Sequence, residues 1–97
     1  MSLPVVLSPD ADFEFEEAAT WYERNAAMGE RFIQRIQESL NRISEAPERH
    51  ALVFGQIRRI RVRQFHYGVY YRIQEDRIEV IAVFHDKRDP KNWQSRA

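Results

Sequence analysis

One stretch of the chain decides the fold, residues 29–63, GERFIQRIQESLNRISEAPERHALVFGQIRRIRVR. In its first half the apolar residues recur at three- and four-residue steps: Phe32, Ile33, Ile36, Leu40 and Ile43. This spacing predicts an amphipathic helix that runs to about Glu45, and Pro47 ends it because the residue before a proline is pushed out of the helical region. In Ile57 to Arg63 the period falls to two, which predicts a half-buried strand.

Before this stretch the sequence predicts one short strand and another helix. Leu3 to Leu7 is apolar and stops at Ser8-Pro9-Asp10, a helix N-cap followed by proline and an acidic first turn. From Pro9 to about Ala27 the apolar positions again recur at helical spacing, while glutamates occupy the other positions. We therefore expect an amphipathic first helix with an acidic outer face.

After it the sequence predicts two more strands. Tyr67 to Gln74 and Arg77 to Phe84 are rich in Tyr, Val and Ile, and the two residues between them suit a tight hairpin. Residues 48–55 are interpreted as a polar connection, and Asp86 to Ala97 as a short helical turn or tail. The predicted order is β-α-α-β-β-β.

This order predicts an α+β fold of two layers, a single domain over residues 1–97. The two helices must bury their apolar faces, so we expect them to pack on one face of a mainly antiparallel four-stranded sheet. The last two strands are apolar on both sides: Tyr70 opposes Tyr71, and Ile81 and Val83 oppose Val80 and Ala82. Because no second helical layer remains to cover the reverse face, we expect a groove there, edged by the arginines of the second strand and by the C-terminal segment.

Composition narrows the classes of function. The chain has no cysteine, which excludes disulfides, thiolate catalysis and cysteine-based zinc sites. We expect no metal and no cofactor, because the three histidines are scattered and a core this small leaves little room for an enclosed cavity. No apolar run approaches the roughly 20 residues of a membrane span, and no basic-then-apolar signal segment opens the chain. We therefore expect a soluble, cytoplasmic protein with no membrane partner.

Charge is divided unequally along the chain. Residues 1–48 hold ten acidic residues and four arginines, a net charge of −6, while residues 49–97 hold eleven basic and five acidic residues, a net charge of +6. Thirteen of the fifteen basic residues are arginines, whose forked donors suit phosphate and carboxylate. This asymmetry predicts a surface that binds an anionic macromolecule or an acidic protein.

The second strand supplies the first candidate binding residues. Arg59, Arg61 and Arg63 alternate along it, which would place three guanidinium groups within about 14 Å on one face. The alternative is that they only discourage pairing at a sheet edge. Arg72 of the third strand either joins them or forms a cross-strand ion pair with Glu79. Tyr70, on the floor of the expected groove, is a further candidate.

The C-terminal segment supplies the other candidates. In a nuclease His85 could transfer protons, and Arg88 could stabilise a pentacoordinate phosphate. In the structural alternative His85 caps the strand while Arg88 pairs with Asp86 or Asp89. Trp93 either pins the tail to the body or contacts a partner. The remaining histidines, His50 and His66, are interpreted as solvated.

The chain resembles the RelE/ParE toxins of bacterial type II toxin–antitoxin pairs over nearly its whole length. The resemblance is carried by Trp21-Tyr22, Gly29-Glu30-Arg31-Phe32, Pro47, Arg58-Arg59, Tyr67 to Arg72, His85 to Pro90, and Trp93. It implies the same β-α-α-β-β-β order. RelE-like toxins often use lysines around their groove, whereas this chain has no lysine before Lys87, and its ending is more similar to the ParE branch.

The resemblance implies two possible targets, and a shared fold does not indicate which of them this chain acts on. A ParE-like toxin poisons DNA gyrase by binding, and this reading is favoured. A RelE-like toxin is a ribosome-dependent, metal-independent mRNA endoribonuclease, and a third reading is a degraded toxin that only binds its partner. In each case the resemblance implies a cognate antitoxin that fills the groove, with a homodimer or a toxin–antitoxin heterotetramer as the expected assemblies.

Overall fold

A computed structural model describes residues 3–97 of the chain; Met1 and Ser2, which the single-domain prediction includes, lie outside the described residues. The elements are β1 Val5–Leu7, α1 Pro9–Ala26, α2 Gly29–Glu45, a 3₁₀ turn Pro47–Arg49, β2 Leu52–Phe54, β3 Ile57–Arg61, β4 Tyr67–Ile73, β5 Ile78–His85 and α3 Lys91–Gln94. They form a sheet in the order β1-β5-β4-β3-β2, in which β1 runs parallel to β5 and every other pair is antiparallel.

The predicted α+β class and the two helices before the main strands are confirmed, but the strand count is wrong. The sheet has five strands because Leu52–Phe54, interpreted from sequence as part of a connection, forms the edge strand β2. A strand of three residues is too short to show a period. It forms because the turn at Gly55, with φ of +55°, folds it back on β3, where Leu52 pairs with Arg58.

The two long helices begin and end as their sequences predict. Ser8 caps α1, since its Oγ accepts a hydrogen bond from the Ala11 backbone N at 3.2 Å. The turn into α2 requires a glycine at position 29. A Cβ there would lie 2.9 Å from the Ala19 carbonyl oxygen and 2.8 Å from the Glu23 Cβ. The helices therefore approach as closely as a bare backbone allows.

The main core lies between the helices and the sheet. Phe32, Ile36 and Ile43 of α2 are fully buried against residues of the three central strands, among them Val69 and Val80. Burying an aliphatic or aromatic side chain of this size contributes about 1.5–3 kcal/mol. The helical layer thus covers one face of the sheet, as predicted.

A β-bulge in β5 changes which residues face away from the helices. Tyr70 pairs with Ala82 while the next residue, Tyr71, pairs with Val80, so that Ile81 is extra in the ladder. Ile81 and Ala82 consequently both join a second apolar cluster on the reverse face, whereas Val83 packs with the helical core. The predicted alternation of Ile81 and Val83 against Val80 and Ala82 is therefore wrong, although Tyr70 and Tyr71 do point to opposite faces.

Candidate functional site

The reverse face of the sheet is covered by the chain's own C-terminal helix. Trp93 of α3 is 4% exposed and stacks on Tyr70, with ring centroids 4.3 Å apart. Ile57, Ile81 and Phe84 are buried in the same cluster. The open apolar groove predicted on this face is therefore closed, and of the two alternatives for Trp93 the structure shows the one in which it pins the tail to the body.

Arg96 fastens the tail to helix α1. Its guanidinium donates to both carboxylate oxygens of Glu14, at 3.0 and 2.9 Å, and to the Ile81 carbonyl oxygen at 3.0 Å. The hydrogen bonds to Glu14 raise the pKa of Arg96 above its ordinary value, despite partial burial. Glu14 also accepts a hydrogen bond from the Val83 backbone N. This contact could not be predicted from the sequence, because Glu14 and Arg96 lie 82 positions apart.

Arg59 is held at the rim of the covered face. It donates to the Asp86 carboxylate at 2.6 Å and to the Tyr70 hydroxyl at 3.2 Å. Burial opposes its charged form, but these two hydrogen bonds outweigh that effect and raise its pKa. Tyr70 is itself buried beneath Trp93, whereas the Arg59 side chain stays 28% exposed while it is bonded to Asp86.

The three alternating arginines do not form one ladder. Strand β3 ends at Arg61, which is exposed, and Arg63 beyond it bonds to Glu38 of α2 at 3.0 Å. That hydrogen bond is the main reason why the pKa of Glu38 is lowered. Arg63 thus turns toward the helical layer, away from Arg59, and the prediction that the three guanidinium groups share a face is wrong. Their binding roles stay a prediction.

Arg72 pairs across the strands with Glu79. The two residues are register partners in β4 and β5, and the guanidinium lies 2.8 Å from the carboxylate. The ion pair that the sequence offered as one of two alternatives is therefore present. Half-exposed pairs of this kind contribute about 0.2–1 kcal/mol.

A cleft of about 270 Å³ lies where the end of β5 meets helix α1. Its walls are Trp21, Tyr22, Tyr67, His85 and Arg88. Strand β5 ends at His85, and the turn that follows carries Arg88 back over the Phe84 ring, with its guanidinium carbon 4.8 Å from the ring centroid. The two residues proposed from sequence as a proton-transfer and phosphate pair are thus neighbours in a single cleft.

Within this cleft the charged and aromatic groups are available for contact. His85 accepts a hydrogen bond from the Lys87 backbone N at its Nδ1, so a neutral ring carries its proton on Nε2. No carboxylate among residues 3–97 pairs with Arg88, so the predicted partnership with Asp86 or Asp89 is wrong. Asp86 instead bonds to Arg59. Arg88 is exposed and can accept an anionic group.

The aromatic walls are the part of the cleft that sequence reasoning missed. Trp21 is 57% exposed, and its ring meets Tyr22 edge to face at 5.1 Å. Tyr67 meets His85 at the same centroid distance, and burial raises the pKa of its hydroxyl. The available signal was a tryptophan on the acidic outer side of a helix, next to a tyrosine that packs inward. Sequence could not show that strand β4 brings Tyr67 alongside.

His50 is not solvated as predicted. Its Nε2 is buried without a hydrogen-bond partner among the described atoms, and its ring lies beside Tyr71. Burial is the largest cause of the lowering of its pKa. The carbonyl oxygens of Glu48 and His50 both accept from Arg58, which fixes the connection. His50 therefore has a structural role in the connection between α2 and β2.

Residues 3–97 hold neither a cluster of metal ligands nor a helix that could span a membrane. No group of three or more His, Cys, Asp or Glu side chains there is arranged to hold a metal ion. None of the helices in that range combines the length and the apolarity that crossing a bilayer requires.

Two solved structures have a fold similar to that of this chain. A structure titled "Chromosomal ParDE TA system from P. aeruginosa" matches with a TM-score of 0.76 at 10% identity, over 87% of this chain and 96% of that one. A structure titled "The structure of YoeB dimer from Staphylococcus aureus" matches with a TM-score of 0.57 at 16% identity, over 88% of this chain and 99% of that one. No curated protein sequence matches the chain. At these identities the structural likeness shows the fold alone.

The helical hairpin on a mixed sheet is the small α+β fold that this chain shares with those two structures. A family model agrees over most of the length. Residues 5–90 match the ParE toxin of the type II toxin–antitoxin system parDE, and the chain belongs to that family.

Proposed function

We propose that the chain is a growth-inhibiting toxin that acts by binding DNA gyrase rather than by cutting RNA. One observation carries the proposal: three of the four arginines that would have to hold an RNA backbone are bonded to the chain's own carboxylates. These are Arg59 with Asp86, Arg63 with Glu38, and Arg72 with Glu79. Recruiting them to phosphates would first break those pairs, whereas a binding inhibitor needs only a complementary surface. Membership of the ParE family supports the same target.

The cleft at the end of β5 is the proposed contact with the target. Trp21 and Tyr67 offer exposed or rim aromatic surface, and Arg88 offers an unpaired guanidinium beside them. Trp, Tyr and Arg are the residues most enriched among those that dominate binding energies at protein interfaces. An acidic side chain of the target would pair with Arg88 while an apolar neighbour packs on Trp21.

A cognate antitoxin is the proposed natural partner. The same cleft is a suitable place for it to bind, since an acidic, partly apolar segment there would compete with the target directly. One structural neighbour is titled as a chromosomal ParDE TA system, which supports a toxin–antitoxin complex as the resting form. A chromosomal or plasmid-borne antitoxin in the cytoplasm would then keep the toxin inactive.

Two assays run in parallel test the target. Purified chain should block DNA supercoiling by gyrase and leave mRNA intact in a translation reaction. Arg88→Ala and Trp21→Ala should each weaken inhibition by at least about tenfold, the effect of losing roughly 1.4 kcal/mol. Arg77→Ala is the matched control, because Arg77 is also an exposed arginine but precedes β5, at the opposite end of that strand. Unchanged supercoiling at saturating protein would refute the proposal.

The second candidate is a metal-independent endoribonuclease, favoured by the proximity of His85 and Arg88. Because Nδ1 of His85 accepts from Lys87, a neutral ring carries its proton on Nε2 and would donate a hydrogen bond to the phosphate, where Arg88 would stabilise the developing charge; solvent water would take the proton of the RNA 2′-hydroxyl. Cleavage of mRNA during translation, lost by orders of magnitude in His85→Ala, would establish this function. A chain inert in both assays would be a toxin that keeps only its antitoxin-binding role.

A further inference from the structure

The two edges of the sheet are protected unequally. Strand β1 at one edge is bracketed by Pro4 and Pro9, which lack the backbone N–H groups that an added strand would need. Strand β2 at the other edge, residues 52–54, has no proline closer than Pro47. Natural sheets usually blunt such an edge with prolines, charges, bulges or very short strands, and β2 has only the last two, being three residues long with an irregular register between Leu52 and Phe54.

The β2 edge is apolar and free of charge. Every residue from Ala51 to Gln56 is exposed, and these include the large side chains of Leu52, Val53 and Phe54. The segment 51–57, ALVFGQI, contains no ionisable side chain in a protein of which 31% is charged. An exposed, uncharged, apolar edge strand is a surface that another strand can extend.

We propose that β2 is the edge through which two copies of this chain associate, antiparallel about a two-fold axis, to give one continuous ten-stranded sheet. In such an interface each residue near the axis meets its own counterpart, so any charge would face a like charge. A strand without charge avoids this repulsion and is complementary to itself. A strongly acidic or basic partner segment would find no opposite charge to pair with here.

An exposed apolar surface on α1 fits a second copy less well than β2 does. Phe13 and Trp21 project from the outer side of α1, but Glu16 and Glu17 lie between them on the same surface. Two such surfaces facing each other would bring four carboxylates together against only the two guanidinium groups of Arg24, which leaves uncompensated negative charge. Self-association by α1 is therefore disfavoured by the same electrostatic reasoning that favours β2.

The dimer is expected to be weak. A stable interface buries about 800 Å² on each partner, and a three-residue strand supplies only part of that. Phe54 adds to it, since it leans edge-on against Trp93 with ring centroids 6.0 Å apart and extends the surface toward α3. We expect dissociation at about 10–100 μM, so that the purified chain shifts from monomer to dimer over accessible concentrations.

Two valines at opposite edges provide a matched test. Val53 in β2 is 44% exposed and Val6 in β1 is 45% exposed, so a lysine at either position projects into solvent without burying a charge in the monomer. Sedimentation velocity on the wild-type chain, Val53→Lys and Val6→Lys, across about 5–500 μM, measures each dissociation constant. Val53→Lys should raise the constant at least about tenfold, and Val6→Lys should leave it unchanged. Circular dichroism checks that both variants are folded.

Each other outcome overturns the proposal, whatever the target of the toxin proves to be. A wild-type chain that stays monomeric throughout has no such interface. Dissociation caused by Val6→Lys, or equally by both variants, would assign the dimer to another surface. If the chain is monomeric alone and Val53→Lys instead weakens its complex with a co-expressed antitoxin, the edge binds the antitoxin. The supercoiling assay reports on gyrase separately.

Discussion

Replacing Trp93 with alanine removes the side chain that closes the reverse face of the sheet. Trp93 lies in the four-residue helix α3, and its ring is almost completely buried between Tyr70 and Phe54. Without it, Ile81 and Phe84 would lose their cover. The variant therefore measures how far a terminal segment contributes to the stability of the whole domain.

The expected cost is about 3 kcal/mol. Buried Trp→Ala and Phe→Ala substitutions cost about 3–5 kcal/mol, and the lower end applies because a terminal helix can settle partly into the space left behind. The stacked pair with Tyr70 accounts for roughly 0.5–1.5 kcal/mol of this beyond its buried area. Since small domains are stable by only about 5–15 kcal/mol, the variant should remain folded but lose a large share of its stability.

Urea unfolding followed by circular dichroism measures the change. With a slope of about 1.2 kcal/mol/M for a chain of this size, a loss of 3 kcal/mol lowers the midpoint by about 2.5 M. Binding of a hydrophobic dye to the folded variant should rise as Ile81 and Phe84 become accessible. The control is Trp21→Ala, which removes the same side chain from an exposed position and should cost no more than about 1 kcal/mol.

The reasoning fails if the two tryptophan variants are equally stable. A cost below about 1 kcal/mol for Trp93→Ala would mean that α3 does not hold its place on the sheet in solution. The reverse face would then be the open surface that the sequence predicted, and Tyr70 would be accessible to a partner.

Three further perturbations test the contacts around the sheet. A double-mutant cycle of Arg72→Met and Glu79→Met should give a coupling of about 0.2–1 kcal/mol in urea unfolding, and zero coupling would show that the pair is not formed. Glu14→Ala should lower the free energy of unfolding by about 2 kcal/mol, because it removes the charged hydrogen bonds to Arg96. Arg96→Ala should cost a similar amount, and a double variant that costs less than the sum of the two would show that both act through this one contact. Burial lowers the pKa of His50 below its ordinary 6.5, so as the pH falls the unfolded chain binds the proton at a higher pH than the folded chain does. The free energy of unfolding should therefore fall as the pH drops from about 7.5 to 5.5. In His50→Asn the melting temperature should depend less on pH over that range.

The helices and the order of the main strands were predictable because their signals are local. The stripe through Phe32, Ile36 and Ile43 specifies a helical face without reference to the rest of the chain, and the alternation in 57–61 specifies a strand. The candidate pair His85 and Arg88 was predictable for the same reason: both follow the last apolar strand. Their aromatic neighbour Tyr67 was not, because it reaches the cleft only through the pairing of β4 with β5.

The sequence by itself determined the class of fold, the face that the helices cover, and the residue types gathered at the end of β5. Only the tertiary structure decided what the second face of the sheet does. The bulge at Ile81, the seat of Trp93 on Tyr70, and the pairing of Arg63 with Glu38 each depend on which distant segments meet. Periodicity reports the environment of a residue relative to its neighbours in the chain, whereas an ion pair or a covering helix is fixed by distances between segments that no local pattern encodes.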